Sequence, residues 1–231
     1  MSGPRESRGL EGARVLVTAG PTWVALDRVR VITSIFSGST GIEIARAAAR
    51  RGASVTLLLG PGRSRLTDGE AGVRVVPYVF YEELAELVRR EVSAGDCQAV
   101  IHSAAVADYE PASPHPGKLR SGQKELVLRL KPTAKLVDRI KLLDPKILLV
   151  MFKLEVGSSH EQLVEQGLAA LRRAGADLVV VNDLEAVRAE HIAFLVEPGG
   201  EIVQAVGNSE IASRLLDWLE LKLGRARLQA P

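Results

Sequence analysis

Two glycine turns near the start of the chain, Thr18-Ala19-Gly20-Pro21-Thr22 and Phe36-Ser37-Gly38-Ser39-Thr40-Gly41, carry the first chemical signal. A glycine turn between a strand and a helix presents backbone N–H groups to a phosphate. Taken alone, Gly38-x-x-Gly41 is equally what a tight turn and close helix–strand packing require. Between the turns lies Asp27-Arg28-Val29-Arg30, an extended charged insertion that a short dinucleotide-binding turn does not contain. Asp108 follows the small residues Ala104-Ala105-Val106-Ala107. Small residues let a ligand approach the backbone, and the carboxylate suits a ribose or a hydrated Mg²⁺. A plain turn before Pro111 accounts for it as well. Lys118 sits in a Pro/Gly-rich stretch, either as a solvated surface charge or on a lid that brings an ammonium onto phosphate.

The elements that must position these residues alternate. Apolar runs predict strands over Arg14–Ala19, Ser54–Leu59, Val73–Val76, Gln98–His102, Lys146–Phe152 and Asp177–Val181. Helical spacing predicts helices over Ile42–Arg51, Tyr81–Val92, Thr133–Leu143, Ser159–Arg173 and Ser209–Leu223. Capping boxes are read at Thr40/Glu43 and Ser159/Gln162, N-caps at Thr133 and Asn208, and a helix stop at Gly52. Glu125–Leu130 alternates as a half-buried strand, and Ile192–Val196 with Ile202–Val206 form a hairpin around Pro198-Gly199-Gly200. Glu110 to Gln123 is a long irregular stretch of the kind that serves as a flap. The fold expected is α/β: a Rossmann-like, doubly wound, mostly parallel sheet with an antiparallel edge hairpin and a flexible flap. Residues 1–10 read as a disordered lead-in, 11–224 as one domain and 225–231 as a frayed tail. Function belongs at the C-terminal ends of the strands.

Composition narrows the classes. A net charge of +2 without a basic stripe gives nucleic acid no footprint. Cys97 is the only cysteine, so no disulfide framework or thiolate cluster is expected, and cytosolic residence fits. No apolar run suits a membrane span. A nicotinamide-binding unit would carry an acid after the second strand, where Leu59-Gly60-Pro61 stands, and none of Tyr78, Tyr81 or Tyr109 has lysine four places on. Walker and Gly-x-Ser-x-Gly patterns are absent, and His102, His115, His160 and His191 lack zinc spacing.

Taken together, Thr18–Thr22, Asp27–Thr33, Ser37–Gly41, Ala104–Tyr109, Lys118–Ser121, Phe152–Glu155 and Ala176–Asp183 resemble the phosphopantothenate–cysteine ligase (phosphopantothenoylcysteine synthetase) family of coenzyme A biosynthesis. The resemblance runs from about Ala13 to Leu223 and is most specific at Ala104–Tyr109. It implies ligation of 4′-phosphopantothenate to cysteine through an acyl-nucleotidylate, with CTP or ATP as co-substrate, Mg²⁺ and no flavin. It implies nucleotide contacts from Gly20, Pro21, Thr22, Ser37, Gly38, Gly41, Ala104, Ala105, Asp108, Lys131 and Phe152, with Asp108 a magnesium ligand. It assigns catalytic roles to Lys118, Arg30 and position 34, and a cytoplasmic homodimer whose interface involves the segment around Ser34 and the strand pair near the flap. The chain departs from the family at Ser34, where the pattern has asparagine, and at Ser39-Thr40, where a basic residue is usual. Ala170 and Ala174 replace two further basic positions, with Arg172 or Arg173 as substitutes. The alternatives are a nucleotide-binding relative that has lost catalysis and serves as a sensor or partner subunit, and an NAD(P)-dependent reductase.

Overall fold

The computed structural model describes residues 9–122 and 124–229. Its strands and helices run, in chain order, β1 (Arg14–Ala19), β2 (Val24–Ala25), β3 (Val31–Ile32), α1 (Ser39–Arg50), β4 (Ser54–Leu59), β5 (Val73–Pro77), α2 (Tyr81–Ser93), β6 (Ala99–His102), β7 (Tyr109–Pro111), β8 (Leu130–Pro132), α3 (Val137–Leu143), β9 (Leu148–Glu155), α4 (His160–Ala174), β10 (Leu178–Asp183), α5 (Leu184–Ala189), β11 (Ile192–Val196), β12 (Ile202–Val206) and α6 (Gly207–Gln229). Eight strands form one sheet in the order β12-β11-β10-β9-β6-β1-β4-β5. The pairs from β5 across to β10 are parallel, while β10–β11 and β11–β12 are antiparallel. The winding direction reverses between β1 and β6, which places a topological switch point at the ends of those two strands.

Alternation along the central strands separates two cores. Val15, Val17 and Ala19 pack with α1 and α6 on one face, and Leu16 packs with α2, α3 and α4 on the other. Arg51, just past α1, holds the first face together by donating to Asp217 (2.7 Å), Glu220 (3.2 Å) and the Ser213 carbonyl (3.3 Å) of α6.

Several local expectations are corrected. Thr40 does not cap α1: Gly38 is the N-cap, and the Thr40 hydroxyl donates to Asn208 Oδ1 (2.7 Å) while Glu43 accepts from Arg50 (3.2 Å). Asn208 lies inside α6, and its amide also donates to Ser39 Oγ (3.3 Å), so a polar clasp between two helix starts replaces two separate caps. Thr133 is no N-cap; its N–H donates to the Asp108 carbonyl (2.9 Å) and its hydroxyl to the Ala107 carbonyl, and the helix starts at Val137. The strand expected over Glu125–Leu130 is displaced to Leu130–Pro132, which pairs with Tyr109–Pro111. The alternating residues Leu126 and Leu128 stay exposed, so no sheet face held the expected register. The Ser159/Gln162 capping box is present. Residues 1–8 of the expected lead-in lie outside the described residues, but Leu10 is fully buried and donates to the Arg51 carbonyl (3.1 Å). At the other end α6 continues past 224 to Gln229, with 230–231 outside the described residues, as is Gln123 in the flap.

Candidate active site

The ends of β1 and β6 are laced together. Ala105 N–H donates to the Gly20 carbonyl (3.0 Å), Thr22 N–H to the Ala105 carbonyl (3.2 Å), and Ala107 N–H to the Thr22 hydroxyl (2.9 Å). One layer below, Thr18 and His102 sit side by side in register. The Thr18 hydroxyl accepts from Ala104 N–H (3.1 Å) and lies 2.9 Å from His102 Nδ1. Burial favours the neutral imidazole and lowers the His102 pKa to about 4. The buried Tyr78 hydroxyl lies 2.9 Å from both the Ala19 and Gly20 carbonyls and supports the first turn from beneath.

The second turn rests on the first. Gly38 has φ 85°, and a Cβ there would stand 3.0 Å from Gly20 N, so glycine is required both for conformation and for space. A Cβ on Gly41 would stand 2.5 Å from Ala19 Cβ, which fixes how closely α1 approaches β1.

A cavity of about 840 Å³ opens over this junction. It passes across the sheet edge, from Gly38, Thr40 and His191 on the α1/α6 face to His102, Val137 and Ala170 on the α3/α4 face. Of the residues expected to bind or react, Gly20, Ser34, Ser37, Gly38, Gly41, Ala104, Ala105, Asp108 and Phe152 all line it. The Ser34 hydroxyl is buried and has no hydrogen-bond partner among the described residues.

Five expected residues do not line the cavity. Pro21 bridges to Ala105 and Thr22 is fully buried in the lacing, so both position the loops beneath the site. Lys131 is exposed and pairs with Glu110 (3.1 Å). Arg30 and Lys118 belong to a junction between the insertion and the flap. Asp27, only 5% exposed, accepts from the N–H groups of Val29 (2.8 Å), Arg30 (2.8 Å) and Leu119 (3.0 Å). The Arg30 guanidinium donates to the Leu119 carbonyl (3.0 Å), and Arg28 N–H to the Gly117 carbonyl (3.1 Å). The backbone on either side of Lys118 is therefore pinned while its side chain is exposed. Burial pushes the Asp27 carboxyl up, but its three N–H donors and the Arg30 charge outweigh that and hold it below the ordinary carboxylate value.

Asp108 forms an ion pair with Lys135, a residue the sequence reading passed over. It also passed over Arg63 and the Thr18–His102 pair, whereas Arg173, offered as a substitute for a missing basic position, lines the cavity. Two polar residues closing otherwise apolar strands were the available signal for that pair.

The chain matches the family described as DNA/pantothenate metabolism flavoprotein C-terminal domain over residues 10–221. It belongs to that family. Among its relatives, the coenzyme A biosynthesis bifunctional protein CoaBC of Thermococcus kodakarensis is 37% identical over 218 residues, covering 94% of this chain and 53% of the relative. The chain thus spans about half the length of the curated relatives it matches. The crystal structure of the DNA/pantothenate metabolism flavoprotein from Streptococcus pneumoniae superposes with a TM-score of 0.82 at 29% identity, covering 91% of this chain and 99% of that one. The C-terminal domain of a CoaBC protein gives 0.78 at 28% identity, covering 95% and 100%. Family membership agrees with the mostly parallel sheet and its antiparallel edge.

Proposed function

We propose that this chain ligates 4′-phosphopantothenate to cysteine, using CTP or ATP and releasing pyrophosphate and the nucleoside monophosphate. The observation that carries this reading is the cavity at the switch point, whose volume of about 840 Å³ spans both faces of the sheet. It has room for a nucleotide and an acyl substrate side by side. Membership of a family whose relatives are named for coenzyme A biosynthesis supports the same substrate class.

In the first step a carboxylate oxygen of phosphopantothenate bonds to the α-phosphorus as the bond to the pyrophosphate leaving group breaks. In the second, the cysteine amine bonds to the acyl carbon, loses a proton, and the nucleoside monophosphate departs with the former carboxylate oxygen. Neither step needs a protein nucleophile; both need held geometry and donors where charge develops. The two glycine turns supply N–H donors for phosphate, and the Ala104–Asp108 loop and Phe152 hold the nucleoside. Arg30 and Lys118 serve the acyl phosphate from the junction of insertion and flap, where the backbone beside Lys118 is pinned and its exposed side chain carries the ammonium. Ser34 faces the acyl intermediate with its unpartnered hydroxyl. Among the described residues no group of three His, Cys, Asp or Glu side chains could hold a metal. Asp108 is the one carboxylate among the described residues lining the cavity, so it fits Mg²⁺ carried mainly by substrate phosphates, where the ion would offset triphosphate charge.

The proposal includes a cytoplasmic homodimer. Exposed Val29, Val31 and Ile32 of the insertion and Leu126, Val127 and Leu130 of the flap arm are apolar surface that a second copy would cover. No helix among the described residues is long and apolar enough to cross a membrane.

Incubating the protein with 4′-phosphopantothenate, cysteine and either CTP or ATP, then weighing the products by mass spectrometry, tests the reading. Cysteine-dependent phosphopantothenoylcysteine is expected. Saturable nucleotide binding without product contradicts it and favours a binding protein that has lost catalysis.

A further inference from the structure

Four lysine or arginine side chains line the cavity: Arg63, Lys135, Lys153 and Arg173. Three are already neutralised by carboxylates, Lys135 by Asp108, Lys153 by Glu155 (2.7 Å) and Arg173 by Asp138 (3.1 Å). Arg63 alone of the four has no carboxylate partner among the described residues. A guanidinium facing a cavity unpaired is the site's uncommitted positive charge, and its planar fork suits phosphate oxygens.

Its placement is built rather than incidental. Arg63 lies on the turn after β4, and that turn is clamped onto the opening loop on both sides of it. Ser64 N–H donates to the Ser37 carbonyl (3.3 Å). A Cβ on Gly62 would stand 2.4 Å from the same carbonyl oxygen, and one on Gly60 would stand 2.3 Å from the Pro21 carbonyl oxygen. Only a turn of glycines lets the backbone of residues 60–64 pack this closely on the two phosphate-type turns. The packing fixes the backbone on either side of Arg63 against Pro21 and against Ser37, the latter close in sequence to the start of α1, which has no acidic residue in its first turn. The packing of Gly60-Pro61-Gly62 is what presents the next residue to the site.

The geometry points to Arg63 as the residue that holds the β- and γ-phosphates of the nucleoside triphosphate, the part that leaves as pyrophosphate. This rests on the ligase reading and adds to it the residue that takes the leaving group. The same guanidinium chemistry would suit the phosphate of phosphopantothenate, and the test separates the two.

Affinities of wild type, Arg63→Ala and Arg63→Lys are measured by calorimetry with CTP and ATP, with the matching monophosphates, and with phosphopantothenate. Arg63 is exposed, so its removal leaves thermal stability nearly unchanged. Arg63→Ala is expected to weaken triphosphate binding about 10- to 100-fold, the range for losing a hydrogen-bonded charge. Monophosphate and phosphopantothenate affinities stay within about twofold, and Arg63→Lys recovers part of the loss because it keeps charge without the fork. Equal weakening of mono- and triphosphate, a selective loss of phosphopantothenate, or no change overturns the assignment. Product formation by a wild type whose triphosphate affinity is unmoved in Arg63→Ala overturns Arg63 alone. A wild type that binds no nucleoside triphosphate overturns both this assignment and the ligase reading.

Discussion

In the proposed ligation, Ser34 is the residue expected to bear most on rate. Its buried hydroxyl has no partner among the described residues, and it lines the cavity between the two glycine turns. A serine there offers one O–H donor, whereas asparagine offers a longer reach and two N–H donors. Ser34→Asn is expected to raise the rate of phosphopantothenoylcysteine formation about tenfold, a fraction of what a full oxyanion donor supplies, with pyrophosphate release in the absence of cysteine unchanged. An unchanged ligation rate contradicts that role. His102 makes a different prediction. Its folded pKa of about 4 lies below the ordinary histidine value of 6.5. Between those pH values the unfolded chain binds the proton and the folded chain does not. The stabilisation is therefore full above about pH 6.5 and declines as pH falls toward 4, by about 3 kcal/mol in all. His102→Gln keeps a hydrogen-bonding side chain beside Thr18 and cannot titrate, so denaturant unfolding of the two proteins across that window should diverge. Parallel stability curves would remove the neutral histidine from the account.

Among the elements, those whose partners are local or periodic were legible and those joined by distant side chains were not. The buried runs at Arg14–Ala19 and Ser54–Leu59 coincide with β1 and β4 to the residue, because parallel central strands are apolar on both faces. The Ser159/Gln162 box is self-contained and forms. Thr40 and Asn208 look like caps, but 168 residues of sequence separate two side chains that bond each other. Nothing local encodes such a clasp. The β2–β3 and β7–β8 ribbons escaped for a related reason: each is two or three residues long and carries exposed apolar side chains, so neither has a period to read. Two tests belong at this level. Arg51→Ala removes the donors that tie α1 to α6, two of them to partly exposed carboxylates. It should lower unfolding stability by about 1–2 kcal/mol, and an unchanged denaturation midpoint would show the tie to be idle. Asp27→Asn turns an amide donor toward one of the N–H groups that Asp27 now accepts from. Trypsin cleavage at Lys118 or Arg120 should then accelerate several-fold while cleavage elsewhere holds steady; equal flap protection in the variant contradicts the anchoring role.

For the whole molecule, the site was legible as a set of strand ends but not as a charge pattern. Glycines and small residues after β1 and β6 announce a ligand in the sequence. Which cations remain unpaired depends on carboxylates brought from elsewhere, as Asp138 is to Arg173 and Asp108 to Lys135. Lys131 and Lys118 read as site residues, yet one is spent on Glu110 and the other stands outside the cavity on a pinned flap. The apolar insertion and flap arm make assembly the other molecular-scale expectation. Sedimentation at micromolar concentration should give a dimer, and Val31→Glu together with Val127→Glu should give monomers. A monomeric wild type contradicts the homodimer.

Ligation through an acyl-nucleotidylate is tested most directly by the fate of oxygen. Phosphopantothenate labelled with ¹⁸O in its carboxylate is turned over with cysteine and the preferred triphosphate, and the phosphorus-containing products are weighed. One labelled oxygen in the nucleoside monophosphate is predicted, with unlabelled pyrophosphate. Label in orthophosphate, accompanied by nucleoside diphosphate, or product formed with no label in the monophosphate, would contradict the account.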